Sequence, residues 1–103
     1  MSRFGLSDEA VRLITDFLQQ YSQIEKSVIF GSRALGTFKP YSDVDIALWG
    51  SNIDDIRGRI ISGLDELPLP YTYDVISFSD IVNEPLKEHI LDHGQILYER
   101  DES

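Results

Sequence analysis

Two residue pairs at a fixed spacing point to phosphate chemistry. Gly31-Ser32 follows the apolar run Ser27-Val28-Ile29-Phe30, and ten residues, Arg33 to Ser42, separate it from Asp43-Val44-Asp45. Gly31 lets a phosphate approach the backbone with no Cβ in the way, and Ser32 adds a hydroxyl donor. Both stand where a short helix would begin, and there unpaired N–H groups and the dipole favour anions. Asp43 and Asp45 leave the same face of one strand. Two carboxylates that close repel, and a bound Mg²⁺ resolves the conflict because hard cations take carboxylate and phosphate oxygens together. Asp74 lies in Tyr73-Asp74-Val75-Ile76, otherwise a good core strand, where Asp is depleted. Three carboxylates on neighbouring strands could hold two cations for an in-line displacement at phosphorus. Each part alone also has an ordinary reading. Gly-Ser is a common turn and cap; Asp-x-Asp equally suits a solvated strand face, or Asp43 closing the turn after Ser42.

The elements that must position these residues follow from periodicity and punctuation. Ser7 caps a helix over about 8–22, with Asp8 and Glu9 in its first turn and Ala10, Ile14, Phe17, Leu18 and Tyr21 as its apolar stripe. Ser27 to Phe30 reads as a buried strand. Ser32 to Leu35 reads as a short helix closed by Gly36. Thr37 to Ser42, with Pro40, is a loop. A strand over Asp43 to Trp49 places Asp43, Asp45 and Ala47 on one face and Val44, Ile46 and Leu48 on the other. Ser51 opens a capping box with Asp54 before a helix over about 52–66 that Pro68 and Pro70 end. Tyr71 to Phe78 is a third strand, with Asp74 facing away from Tyr73 and Val75. Asn83 caps a last helix to His93, Gly94 stops it, and Gln95 to Tyr98 forms an edge strand before an acidic, frayed tail. The order α-β-α-β-α-β-α-β predicts an α/β (α+β) fold, a small mixed sheet with helices packed mainly on one side.

At 103 residues the chain reads as one domain, residues 1–103, burying roughly two-thirds of its unfolded surface. No apolar run approaches the roughly 20 residues of a membrane span, and no signal-peptide core follows Met1-Ser2-Arg3; the expectation is a cytoplasmic protein without membrane contact. The absence of cysteine excludes disulfides, thiolate zinc sites and thiol catalysis. A net charge of −9 repels polyanions, so direct nucleic-acid binding is disfavoured, whereas a basic partner protein or a metal-neutralised nucleotide fits. His89 and His93 have the spacing of a zinc pair on the last helix. No third ligand of suitable type lies nearby in sequence, and His93 suits the helix C-terminus, so both read as scaffold. Trp49, Tyr71, Tyr73 and Phe78 read as core and partner surface, since their own strands carry no basic residue.

Gly31-Ser32, the ten-residue spacing, Asp43-x-Asp45 and Asp74 together resemble the signature of the polymerase-β-like nucleotidyltransferases. The phrase FGSRALG…YSDVDIAL…YDVI…L…I…G…LY, from about Val28 to Tyr98, is similar to the minimal (MNT) members. The resemblance implies a nucleotidyltransferase fold, with Asp43 and Asp45 as ligands of two Mg²⁺ ions. It implies that Asp74 binds the catalytic metal and helps to activate the acceptor hydroxyl. Gly31 and Ser32 would hold the β- and γ-phosphates of ATP, and Arg33 would help to neutralise the triphosphate; the ordinary alternative for Arg33 is a surface ion pair. Leu35 departs from the pattern, standing where relatives often carry a second arginine.

Minimal members are typically antitoxins paired with a HEPN-domain ribonuclease toxin, which some silence by adding AMP to a tyrosine. The leading expectation is therefore Mg²⁺-dependent transfer of AMP from ATP to a partner's tyrosine hydroxyl, releasing pyrophosphate. A rival is neutralisation of the toxin by binding alone, which needs no divalent-dependent ATP binding. A third reading, transfer to a small molecule, usually requires a further domain to grip the acceptor, and about 100 residues offer none.

Overall fold

The computed structural model describes residues 2–3, 5–37, 39 and 43–100. Its centre is a four-stranded sheet in the order β5-β4-β3-β6, formed by Ile24–Phe30 (β3), Val44–Gly50 (β4), Tyr73–Ser77 (β5) and Gln95–Glu99 (β6). Strands β3 and β4 are antiparallel, β4 and β5 parallel, and β6 runs antiparallel along the outer edge of β3. The expected mixed sheet is thus present. A small antiparallel pair, β1 (Ser2–Arg3) with β2 (Leu6–Ser7), precedes it; two-residue strands are too short for alternation to reveal them.

Helices α1 (Asp8–Gln19) and α3 (Ile53–Glu66) build the thicker layer. Their buried residues Ala10, Ile14, Leu18, Ile56, Ile60 and Leu64 pack with Ile29, Val44, Ile46, Leu48 and Val75 from the sheet. The two helices come close because Gly63 has no side chain: a Cβ there would lie 2.2 Å from the Phe17 ring. The opposite face carries a thinner cluster of Val28, Phe30, Ala47, Ile81 and Ile90. It is covered by α4 (Glu84–His93) and a 3₁₀ turn over Phe78–Asp80. Helix α2 is only Ser32–Leu35. Among the described residues no helix is long and apolar enough to cross a membrane.

The caps follow the sequence in part. Ser7 Oγ accepts from the Ala10 N–H at 3.1 Å and Asn83 Oδ1 from the Leu86 N–H at 3.0 Å, as expected. Helix α1 ends at Gln19 rather than near Ser22, since Gln20 and Tyr21 close turns that lead directly into β3, which begins at Ile24. The Ser51 capping box does not form. Asn52 occupies the cap instead, in the left-handed region at φ 54° and without a side-chain cap bond, a conformation Asn tolerates better than most residues. Of the expected loop between α2 and β4, Phe38, Pro40, Tyr41 and Ser42 lie outside the described residues, as does the tail from residue 101.

Candidate active site

Alternation along β4 and β5 sorts acidic from apolar side chains. Val44, Ile46, Leu48 and Val75 enter the α1/α3 layer, whereas Ala47 and Ile76 pack on the α4 side. Asp45 and Asp74 share that second face. The parallel register sets them opposite one another, Asp45 against Asp74, between the pairs Val44–Tyr73 and Ile46–Val75. Asp43 sits one residue before β4, and its Oδ1 accepts a hydrogen bond from Thr72 Oγ1. Beside it the Val44 N–H donates to the Thr72 carbonyl at 2.9 Å, so the first turns of chain in β4 and β5 are tied together.

Crowding is felt at Asp45. Burial, then the charges of Asp74 and Asp43, push its carboxyl above the usual range, and Arg33 is the foremost charge opposing them. Among the described residues no three carboxylate or imidazole groups converge into a ready-made metal cage. The donor chemistry nevertheless suits a hard divalent cation: carboxylate oxygens from adjoining strands, one of them partly desolvated and repelled by its neighbours.

Gly31 joins this acidic face to the turn after β3. Phe30, the last residue of β3, pairs with Asp45. Gly31 then turns with φ 76° and ψ −151°, a region essentially restricted to glycine. A Cβ built there would stand 2.4 Å from Asp45 Oδ2. The following turn is held by the Leu35 N–H donating to the Gly31 carbonyl at 3.2 Å and the Thr37 N–H to Ser32 at 3.0 Å. Gly36 closes it in the left-handed region, φ 79°, as expected. With four residues α2 has little macrodipole, so any anion here would be held by individual N–H and O–H donors rather than by a helix field.

Arg33 is not a surface residue. It is buried, with 2% exposure, and its guanidinium carbon lies 5.1 Å from the Tyr71 ring centre, a cation–π arrangement. The exposed ion pair is therefore the wrong alternative for this side chain. Its charge is sensed at both Asp45 and Tyr73. Burial, then Tyr71 and Asp65, push the Tyr73 phenol up to about 12 despite Arg33. Leu35, by contrast, is half exposed, at 50%.

One residue read from the sequence as scaffold touches the phosphate turn. His89, on α4, reaches across the thin face and accepts the Gly31 N–H on Nε2 at 2.9 Å. Its ring meets Phe30 edge-on at 6.2 Å and lies 5.7 Å from that of His93. Fifty-eight positions separate His89 from Gly31, and the spacing of the two histidines indicates only a shared helix face. The aromatic residues also gain a basic neighbour from outside their own strand: Trp49 stacks on Phe78 at 4.5 Å, and Lys26 of β3 sits 4.7 Å from the Trp49 ring.

Residues 12–103 match the family model described as Polymerase beta, Nucleotidyltransferase. Among solved structures, a toxin–antitoxin with AMP-PNP superposes with a TM-score of 0.62 at 21% identity, covering 91% of this chain and 75% of that one. The toxin–antitoxin MntA–HepT gives 0.59 at 18% identity over 91% and 74%. The tri-AMPylated Shewanella oneidensis HEPN toxin in complex with MNT antitoxin gives 0.58 at 18% identity over 89% and 71%. At these identities the likeness is one of fold. No curated protein matches the chain.

Proposed function

The chain belongs to the polymerase beta nucleotidyltransferase family, and from that premise we propose that it is an antitoxin that transfers AMP from ATP to a tyrosine of a HEPN-type toxin. The observation that carries the reading is the meeting of two halves: Asp45 opposes Asp74 in the sheet, and its carboxylate occupies the space beside Gly31. A phosphate turn and an acidic face that touch can present a triphosphate and an acceptor to one another. The structural neighbours include antitoxins bound to such toxins, one toxin being tri-AMPylated and one complex containing AMP-PNP.

In this reading residues 1–103 act as a single minimal nucleotidyltransferase domain. Gly31 and Ser32 hold the β- and γ-phosphates. Asp43, Asp45 and Asp74 would hold two Mg²⁺ ions, which would supply countercharge to the phosphates and the leaving group. Arg33, buried in α2, adds a positive charge that is felt at Asp45. The acceptor tyrosine oxygen forms a bond to the α-phosphorus, and the bond from that phosphorus to the bridging oxygen of the β-phosphate breaks. Pyrophosphate leaves with the electron pair, and the hydroxyl proton passes to the Asp74 carboxylate and then to water.

The test is to incubate the protein with ATP, Mg²⁺ and the product of the adjacent gene, then weigh both proteins intact. A gain of adenylyl groups on the partner, lost with EDTA, supports the reading. A partner inhibited without any gain in mass assigns neutralisation to binding alone.

A further inference from the structure

The Gly31 N–H has one proton, and the structure gives it to a side chain. It donates to His89 Nε2 at 2.9 Å, from a helix that reaches the turn across the thin face of the sheet. In this bond Nε2 is the acceptor, since the Gly31 N–H can only donate. The ring is not loosely placed: it packs edge-on against Phe30, the residue before Gly31, and beside His93 one helical turn later. The Gly31 conformation itself, φ 76° and ψ −151°, is one only glycine adopts readily, and a tether from α4 is a direct way to hold it.

We infer that His89 is a positioning residue that latches the phosphate turn through the Gly31 N–H and yields that N–H to a triphosphate oxygen on binding. This rests on the reading that Gly31 and Ser32 receive the phosphates. A single N–H cannot make two full hydrogen bonds, so nucleotide and imidazole compete for it. The competition lowers apparent nucleotide affinity by the worth of one intramolecular hydrogen bond. Binding would also release His89 from Gly31, so that the state of the turn is communicated to α4.

Two variants and one direct measurement separate this from a merely structural histidine. His89→Phe keeps a ring against Phe30 and His93 but offers no acceptor; His89→Gln keeps an acceptor at similar reach. Calorimetry with AMP-PNP and Mg²⁺ is expected to show His89→Phe binding about five-fold more tightly, the equivalent of one ordinary hydrogen bond, and His89→Gln binding close to the parent protein. A structural role predicts the opposite sign for His89→Phe, since a loosened turn binds more weakly. In the unmutated protein, nitrogen-15 NMR should show the Gly31 amide and His89 Nε2 resonances moving together as AMP-PNP is added. A moving Gly31 amide with an unmoved Nε2, or a His89→Phe variant that folds and binds no more tightly, overturns the latch and leaves the phosphate turn standing. No response of Gly31 and Ser32 to AMP-PNP overturns the phosphate turn and the latch together.

Discussion

The place a side chain would occupy at Gly31 is filled by the carboxylate of Asp45, whose Oδ2 lies 2.4 Å from the position of a Cβ. Glycine is therefore required twice, by its backbone angles and by its neighbour. Gly31→Ala should suffer backbone strain of about 1–3 kcal/mol and push Asp45 out of register with the turn. A thermal melt without nucleotide should fall by about 4–8 °C for each kcal/mol in a domain of this size. A melt unchanged within error would mean that the turn relaxes freely and that its geometry is not enforced.

Ser32 and Asp74 should separate binding from chemistry. Ser32→Ala removes a hydrogen bond to a charged phosphate, worth about 1.5–3 kcal/mol, or about ten- to a hundred-fold in ATP affinity. Asp74 is exposed at the start of β5, so Asp74→Asn should leave the fold within about 0.5 kcal/mol yet abolish transfer. An Asp74→Asn protein that unfolds readily, or one that folds and still transfers nucleotide, would remove Asp74 from the site.

Much of this arrangement was legible because strands obey a period of two. The Asp43/Asp45/Ala47 face and the opposition of Asp74 to Tyr73 and Val75 follow from alternation, and the structure places Asp45 and Asp74 accordingly. What alternation cannot supply is contact between distant segments. The burial of Arg33 against Tyr71, the bond from Gly31 to His89, and Lys26 over Trp49 depend on how layers stack, not on local pattern. The Ser51 cap failed for a related reason. The Ser51 N–H is spent on the Gln23 carbonyl at 3.2 Å, and Gly50 packs so tightly there that a Cβ would lie 1.9 Å from that same oxygen. Docking onto β3's approach thus fixes the chain one residue before the helix can be capped.

The net charge of −9 bears on how a partner is found. If the partner surface is basic, steering should raise the association rate and added salt should reduce it, the screening length being about 8 Å at physiological strength. Stopped-flow binding to the product of the adjacent gene across a salt series should show association slowing far more than dissociation changes. An association rate indifferent to salt would remove the steering argument.

The pH dependence of stability gives the sharpest test of the acidic face, because its sign is fixed by Asp45. Burial, Asp74 and Asp43 raise the Asp45 carboxyl above its ordinary 3.8, so the folded protein holds that proton more tightly than the unfolded chain does. Between 3.8 and the raised value the native state binds more protons, and stability falls as pH rises through that window. Above the window the loss is complete and constant; below 3.8 it vanishes. Asp45→Asn removes the charge and keeps the shape, so without metal the variant should melt higher than the parent protein at pH 7. That advantage should shrink on acidification and be gone near pH 3. Mg²⁺ should reverse the order at neutral pH, because an ion that binds only the folded parent stabilises it by mass action, whereas Asn offers the ion no charge. Melts of both proteins at pH 3, 5 and 7, with Mg²⁺ and with EDTA, decide the matter. An Asp45→Asn protein that melts lower in EDTA at pH 7 would show its carboxylate to be a structural partner rather than a repelled one. An advantage that persists unchanged at pH 3 would have some origin other than the charge.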